Sequence, residues 1–113
     1  MAYDAALADR FREALKNQEG ISEMRMMGGL CFFANGNMIG GADRTKDGRG
    51  RFMFRVGKPA SRLAEQLPGA EPAMMGERRM SGFYFVGEEN CGPQALAAWV
   101  ALALEHALAL PAK

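Results

Sequence analysis

The chain has little of what usually marks a catalytic, secreted or membrane-bound protein. Of its 113 residues two are cysteine and one is histidine. His106 with two distant thiols is too small a set for a zinc site of the usual four ligands, so no metal is expected. Cys31 and Cys91 lack CxxC spacing and fit reduced thiols better than a disulfide framework. Neither GxGxxG nor GxxxxGK(S/T) is present, and the pairs Gly28-Gly29 and Gly40-Gly41 open no helix, which argues against a phosphate cradle. No nucleophile elbow surrounds Ser22, Ser61 or Ser81. No catalytic residue and no cofactor is therefore assigned. The longest apolar run, Ala95 to Leu104, is too short to span a bilayer, and the N-terminus interleaves acids and bases without a signal-peptide core. A cytoplasmic protein without a membrane partner is the expectation. The formal net charge of +1 points to no class of partner.

What the chain does have is an ordinary globular balance, 49% apolar and 24% charged, at a length that suits one domain over residues 1–113. Residues 4–17 place Leu7, Phe11, Ala14 and Leu15 at helical spacing. Short apolar runs between turn residues then predict strands near 23–27, 30–34, 37–42 and 51–56. Asn35-Gly36 between two such runs is the signature of a tight hairpin, with Phe33 facing Met38, Phe32 facing Ile39 and Cys31 facing Gly40. In "RFMFRV", Phe52, Phe54 and Val56 share one face and Arg51, Met53 and Arg55 the other. Pro59 opens a short helix that Pro68-Gly69 stops, and residues 73–87 supply one or two more strands. A closing helix has Asn90 as its cap and Pro93 in its first turn. The fold class predicted is α+β: a mainly antiparallel meander sheet of five to six strands with N-terminal, middle and C-terminal helices.

Three sets of residues invite a functional reading. Arg44, Lys46, Arg49, Arg51 and Arg55, with Arg78 and Arg79, form a basic segment that suits nucleic-acid phosphates, or else a solvated loop. Cys91, in the first turn of a helix, has the position of an acidified thiol and suggests a thiol-dependent enzyme; Cys31 reads as a small buried hydrophobe. The nine methionines suit a pliable binding surface, although core filling explains them more commonly. His106 reads as a capping or surface residue whose protonated form the helix end favours. The closing helix, apolar nearly all round, and a hairpin apolar on both faces make a homodimer a reasonable expectation.

The motifs "MRMMGGLCFFANGNMIGGAD", "GRFMFRVG" and "MSGFYFVG", followed by "ALAAWVALALEHA", resemble the N-terminal domain of the TfoX/Sxy family over almost the whole chain. The matching positions are Met26, Met27, Gly28 and Gly29, then Phe33 after Phe32, Arg55 before Val56, and Met80. Met27 stands where the family usually has Phe. The resemblance implies a structural role for these residues and no catalytic motif. The family's founding members regulate competence genes; its larger members add a C-terminal helical domain for which 113 residues leave no room. Expected, then, is a non-catalytic regulatory or protein-interaction module linked to transcription or competence, with an unknown protein partner. Nucleic-acid binding and a thiol enzyme are the alternatives.

Overall fold

The fold is described from a computed structural model covering residues 4–26 and 28–113. The Asp4 carboxylate accepts the Leu7 amide at 3.0 Å and opens helix α1 (Ala5–Ala14), satisfying one of the amides that a helix start leaves unpaired. Its stripe Leu7, Ala8 and Phe11 is buried, as is Leu15 just beyond. Four strands follow, β1 (Ile21–Met26), β2 (Gly29–Ala34), β3 (Asn37–Arg44) and β4 (Gly50–Arg55). A short helix α2 (Ser61–Glu65), strands β5 (Glu71–Met75) and β6 (Arg78–Gly87), a 3-10 turn at Glu88–Asn90 and helix α3 (Pro93–Ala109) complete the chain. The class is α+β, as the sequence pattern predicts.

All strand neighbours are antiparallel, in the order β1-β2-β3-β4-β6-β5. The meander is unbroken through four strands. The α2 segment then carries the chain to the far edge, so β5 becomes an edge strand and β6 folds back beside β4.

Asn35 and Gly36 have φ of 51° and 84°, the positive values that a tight hairpin turn demands. Phe33 faces Met38 as predicted, but the next two predicted pairs do not form. A bulge at this point sets Phe32 opposite Gly40 and Cys31 opposite Gly41, leaving Ile39 as the extra residue. Burial is the physical reason. Strict alternation from a buried Ile39 would point Asp43 into the core and Ala42 out of it. The extra residue resets the phase, so that Ile39 and Ala42 are both buried inside while Asp43 faces the other way.

Helices α1 and α3 cover one face of the sheet, whose inward residues include Phe32, Phe52, Phe54, Tyr84 and Val86, and Ala64 of α2 joins the same cluster. Phe11 stacks on Phe32 with centroids 4.5 Å apart, and Trp99 stacks on Phe54 at 5.0 Å. Each such ring stabilises the fold by about 1.5–3 kcal/mol on burial. The cap of α3 is Gly92 rather than Asn90, which ends the preceding 3-10 turn. The helix buries Leu96, Trp99, Val100, Ala103 and Ala107, and its outward positions include the exposed alanines 97, 98 and 101. Sheet and α1 thus meet most of its need for cover. Among the described residues no helix is long and apolar enough to cross a membrane.

Candidate functional site

The sheet has a second face, and the bulge decides what stands on it. Across the strands runs one row of facing residues: Met24, Cys31, Gly41, Met53, Phe85 and Glu71. Beside this row lies a groove of about 180 Å³, lined by Met26, Cys31, Met53, Met74, Met75 and Met80 with Phe85 and glycine backbone. No residue of α1, α2 or α3 lines it. Gly41 keeps its floor low, because a Cβ there would lie 2.6 Å from the Leu30 carbonyl oxygen and 3.3 Å from Cys31 Sγ.

This placement corrects the expectation that the methionines fill the core. Among the described residues the buried cluster under the helices contains no methionine. Met53 is buried on the opposite face, and Met24, Met74 and Met75 are 58%, 50% and 63% exposed. The family-pattern residues Met26 and Met80 meet in the groove, while Gly28 and Gly29 lead into β2, Phe33 is half-buried, and Arg55 ends β4. Met27 lies outside the described residues. Met53, Met74, Met75 and Phe85 were not singled out from sequence; the usable signal was a sheet with two apolar faces and only enough helix to cover one.

An ion pair closes one end of the groove. Arg51 donates to Asp43 through Nε at 2.8 Å and Nη2 at 3.3 Å, and its guanidinium carbon sits 3.8 Å from the centroid of the Phe85 ring. Aromatic stacking and a bidentate carboxylate together hold this cation in one orientation. Cys31 is 4% exposed, and its thiol is pushed up by burial and then by the Asp43 carboxylate, which keeps it protonated at neutral pH.

The remaining basic residues are spread apart, and three of the six, Arg44, Arg49 and Arg79, are ion-paired. Arg44 binds Asp4 at 2.8 Å and Glu88 at 3.3 Å. Arg49 holds Glu71 and lies 3.7 Å from Glu89. Arg79 donates to Glu65 at 2.6 Å and to the Tyr84 hydroxyl at 3.2 Å. Arg55 lies over the Phe83 ring at 5.9 Å. Lys46 and Arg78 have no ion pair among the described residues. Four of the seven cations thus already face a carboxylate.

Cys91 is not where an acidified thiol needs to be. It precedes the cap of α3, is fully buried in the core cluster, and burial pushes its thiol up to about 11. The Arg10 guanidinium reaches the Cys91 carbonyl oxygen, tying α1 to this loop. A thiol so placed is protonated and out of reach at neutral pH, which argues against the thiol-enzyme alternative. His106 also departs from expectation. It lies half-buried in the last turn of α3 against Gly57, and burial, then Arg55, lowers its pKa rather than favouring its charge. Among the described residues no group of three or more His, Cys, Asp or Glu converges to hold a metal ion.

The family model of the TfoX N-terminal domain matches residues 13–107, from late in α1 almost to the end of α3. No curated protein and no solved structure matches the chain. The motif residues, the α+β fold and the extent of that match agree, and the chain belongs to the TfoX N-terminal domain family.

Proposed function

We propose that the chain is a regulatory module of the TfoX type, serving transcription or competence control by protein contact, and that the methionine-lined groove receives apolar side chains of its partner. One observation carries the reading: five thioethers and a thiol converge on the sheet face that no helix of this chain lines. Thioethers are flexible and polarisable, so such a surface repacks around a shape it meets rather than demanding one shape. Size favours a partner's side chains over a cofactor. About 180 Å³ is below the roughly 300–1,000 Å³ of sites that enclose drug-sized molecules. The occupant that fits is one or two large apolar side chains projecting from a helix or loop of another protein. The two unpaired thiols go with a cytoplasmic location.

A photo-crosslinking residue placed at Met75 in the groove, with one at Ala101 on the outward face of α3 as control, tests this in cells. A discrete protein adduct from position 75, absent from position 101 and lost when Met53→Ser and Met80→Ser are added, supports the reading. No adduct from 75, or the same adduct from both positions, removes it. Nucleic-acid binding through Arg44, Lys46, Arg49, Arg51 and Arg55 is the competing function. With most of these cations neutralised, anisotropy titration should show no saturable DNA binding at near-physiological salt. Saturable binding lost in the Arg44, Lys46, Arg49, Arg51 quadruple alanine variant would put the function on the basic segment instead.

A further inference from the structure

The two edges of the sheet are guarded differently. On β5, Pro72 has no amide hydrogen to donate, and the register with β6 breaks between Pro72 and Met74. Both features blunt an edge against further pairing. Strand β1 has neither. Its six residues run in unbroken register against β2, from Ile21 opposite Ala34 to Met26 opposite Gly29, and its four central side chains are exposed. The Asn35 amide donates to the Gly20 carbonyl at 2.9 Å, which fixes the alternation along the strand. Ser22, Met24 and Met26 turn their main-chain groups toward β2, and Ile21, Glu23 and Arg25 turn theirs outward.

We propose that this edge pairs antiparallel with β1 of a second copy of the chain, about a two-fold axis through Met24. Charge selects the register. With Met24 opposite its own counterpart, Glu23 of each copy faces Arg25 of the other, and both residues have outward main-chain groups, so each such pair is also a hydrogen-bonded one. A shift by two residues would set Glu23 against Glu23. The match is self-complementary, as a two-fold interface must be. Glu23 is already held by a bidentate contact from Arg12, at 2.6 and 2.7 Å, so it is oriented before the partner arrives. Met24, 58% exposed and next to Cys31 in the open-face row, would meet its counterpart on the same face. The product is one continuous twelve-stranded sheet with both methionine grooves on one side. The pairing stands whether or not the grooves are occupied.

Sedimentation equilibrium over micromolar to near-millimolar concentration, on the wild type and on Glu23→Lys and Arg25→Glu separately, tests the pairing. A wild-type dimer whose dissociation constant rises about tenfold or more in each variant is expected, because each reversal turns two attractive cross-strand pairs repulsive. Mixing the two variants should restore wild-type affinity, since each reversed charge then meets an opposite one. Arg25→Glu leaves the Arg12–Glu23 contact in place, and circular dichroism checks that both variants remain folded. A monomer at every concentration, a dimer that neither reversal weakens, or a mixture no tighter than the single variants overturns the proposal.

Discussion

Replacing Phe11 by alanine should remove a large share of the stability of the whole domain. Phe11 is completely buried and sits where α1 meets the sheet, stacked on Phe32 at 4.5 Å and on Phe54 at 5.7 Å, with Phe52 at 6.3 Å. Truncating a buried Phe costs about 3–5 kcal/mol through lost transfer energy and the cavity left behind. Three ring contacts and zero exposure put Phe11→Ala at about 4 kcal/mol. A domain of this length has a total of roughly 6–17 kcal/mol, so the variant stays folded but marginal. Urea unfolding followed by the fluorescence of Trp99, the sole tryptophan, would show it. At a slope of about 2 kcal/mol per molar, the midpoint should fall by about 2 M. Phe11→Leu, which keeps most of the volume and loses the stacking, should cost about 1–2 kcal/mol. A loss below about 1 kcal/mol for Phe11→Ala would mean that α1 does not close the core, and the division of the sheet into covered and open faces would fail with it.

The open face should behave in the opposite way: Met74→Ala and Met75→Ala, at half-exposed positions, should each change the unfolding free energy by no more than about 0.5 kcal/mol, Met74→Ala also weakening the crosslink from position 75, and a loss like that of Phe11→Ala would make them core residues. Native protein should react slowly with maleimide at both thiols, Cys91 labelling only as the chain unfolds in urea; fast labelling of Cys91 at pH 7 would contradict its burial. Stability should fall toward acid in two stages. His106 has a lowered folded pKa, so the unfolded chain takes up its proton first as pH drops past the ordinary 6.5, and stability present at neutral pH is lost there. Asp4, Glu23 and Glu71 are lowered by their hydrogen bonds to Leu7, Arg12 and Arg49, so a further loss follows as pH falls below the usual carboxylate range. Urea midpoints between pH 8 and 3 would follow both stages, His106→Gln flattening only the first; greater stability at pH 5.5 than at 7.5 would refute the assignment.

The local signals in the sequence were the dependable ones. Asn35-Gly36 gave the hairpin because its positive φ values are a property of two residues, and "RFMFRV" gave its covered and open faces because alternation is a property of six. The bulge at Ile39, opposite the Phe32–Phe33 step, was not legible. It settles where Ile39, Ala42 and Asp43 face, a contest among residues from several strands. The fate of the cations was hidden for a similar reason. Arg44 finds Asp4 and Glu88, and Arg49 finds Glu71 and Glu89, partners from distant parts of the chain, so a basic run in sequence becomes a set of separated pairs in space. Cys91 was misplaced by one structural step, since a 3-10 turn and Gly92 stand where the helix start was expected. The methionines were read as core because apolarity alone does not tell which face of a sheet is covered.

That last ambiguity is also what lets the fold combine stability with adaptability. The covered face is built from aromatic rings with few rotamers, stacked on one another beneath α1 and α3. The open face is built from thioethers with three rotatable bonds, beside an Arg51–Asp43 pair that supplies fixed orientation at one end. Both surfaces hang on the same backbone, and the bulge at Ile39 keeps their side chains in phase. Deleting that extra residue should leave the pairs on either side as they are, Met38 opposite Phe33 and Gly40 opposite Phe32, so that Ala42 stays inside and Asp43 stays with Arg51. What goes is the fully buried Ile39 side chain, and losing a buried aliphatic side chain costs about 2–5 kcal/mol. Single-residue deletion of Ile39 is thus predicted to destabilise the covered face and to spare the groove, whereas substitutions confined to the groove do the reverse. A deletion variant as stable as the wild type by urea unfolding of Trp99 fluorescence, or one that loses the groove crosslink while folded, would mean that the bulge does not divide the two faces in this way.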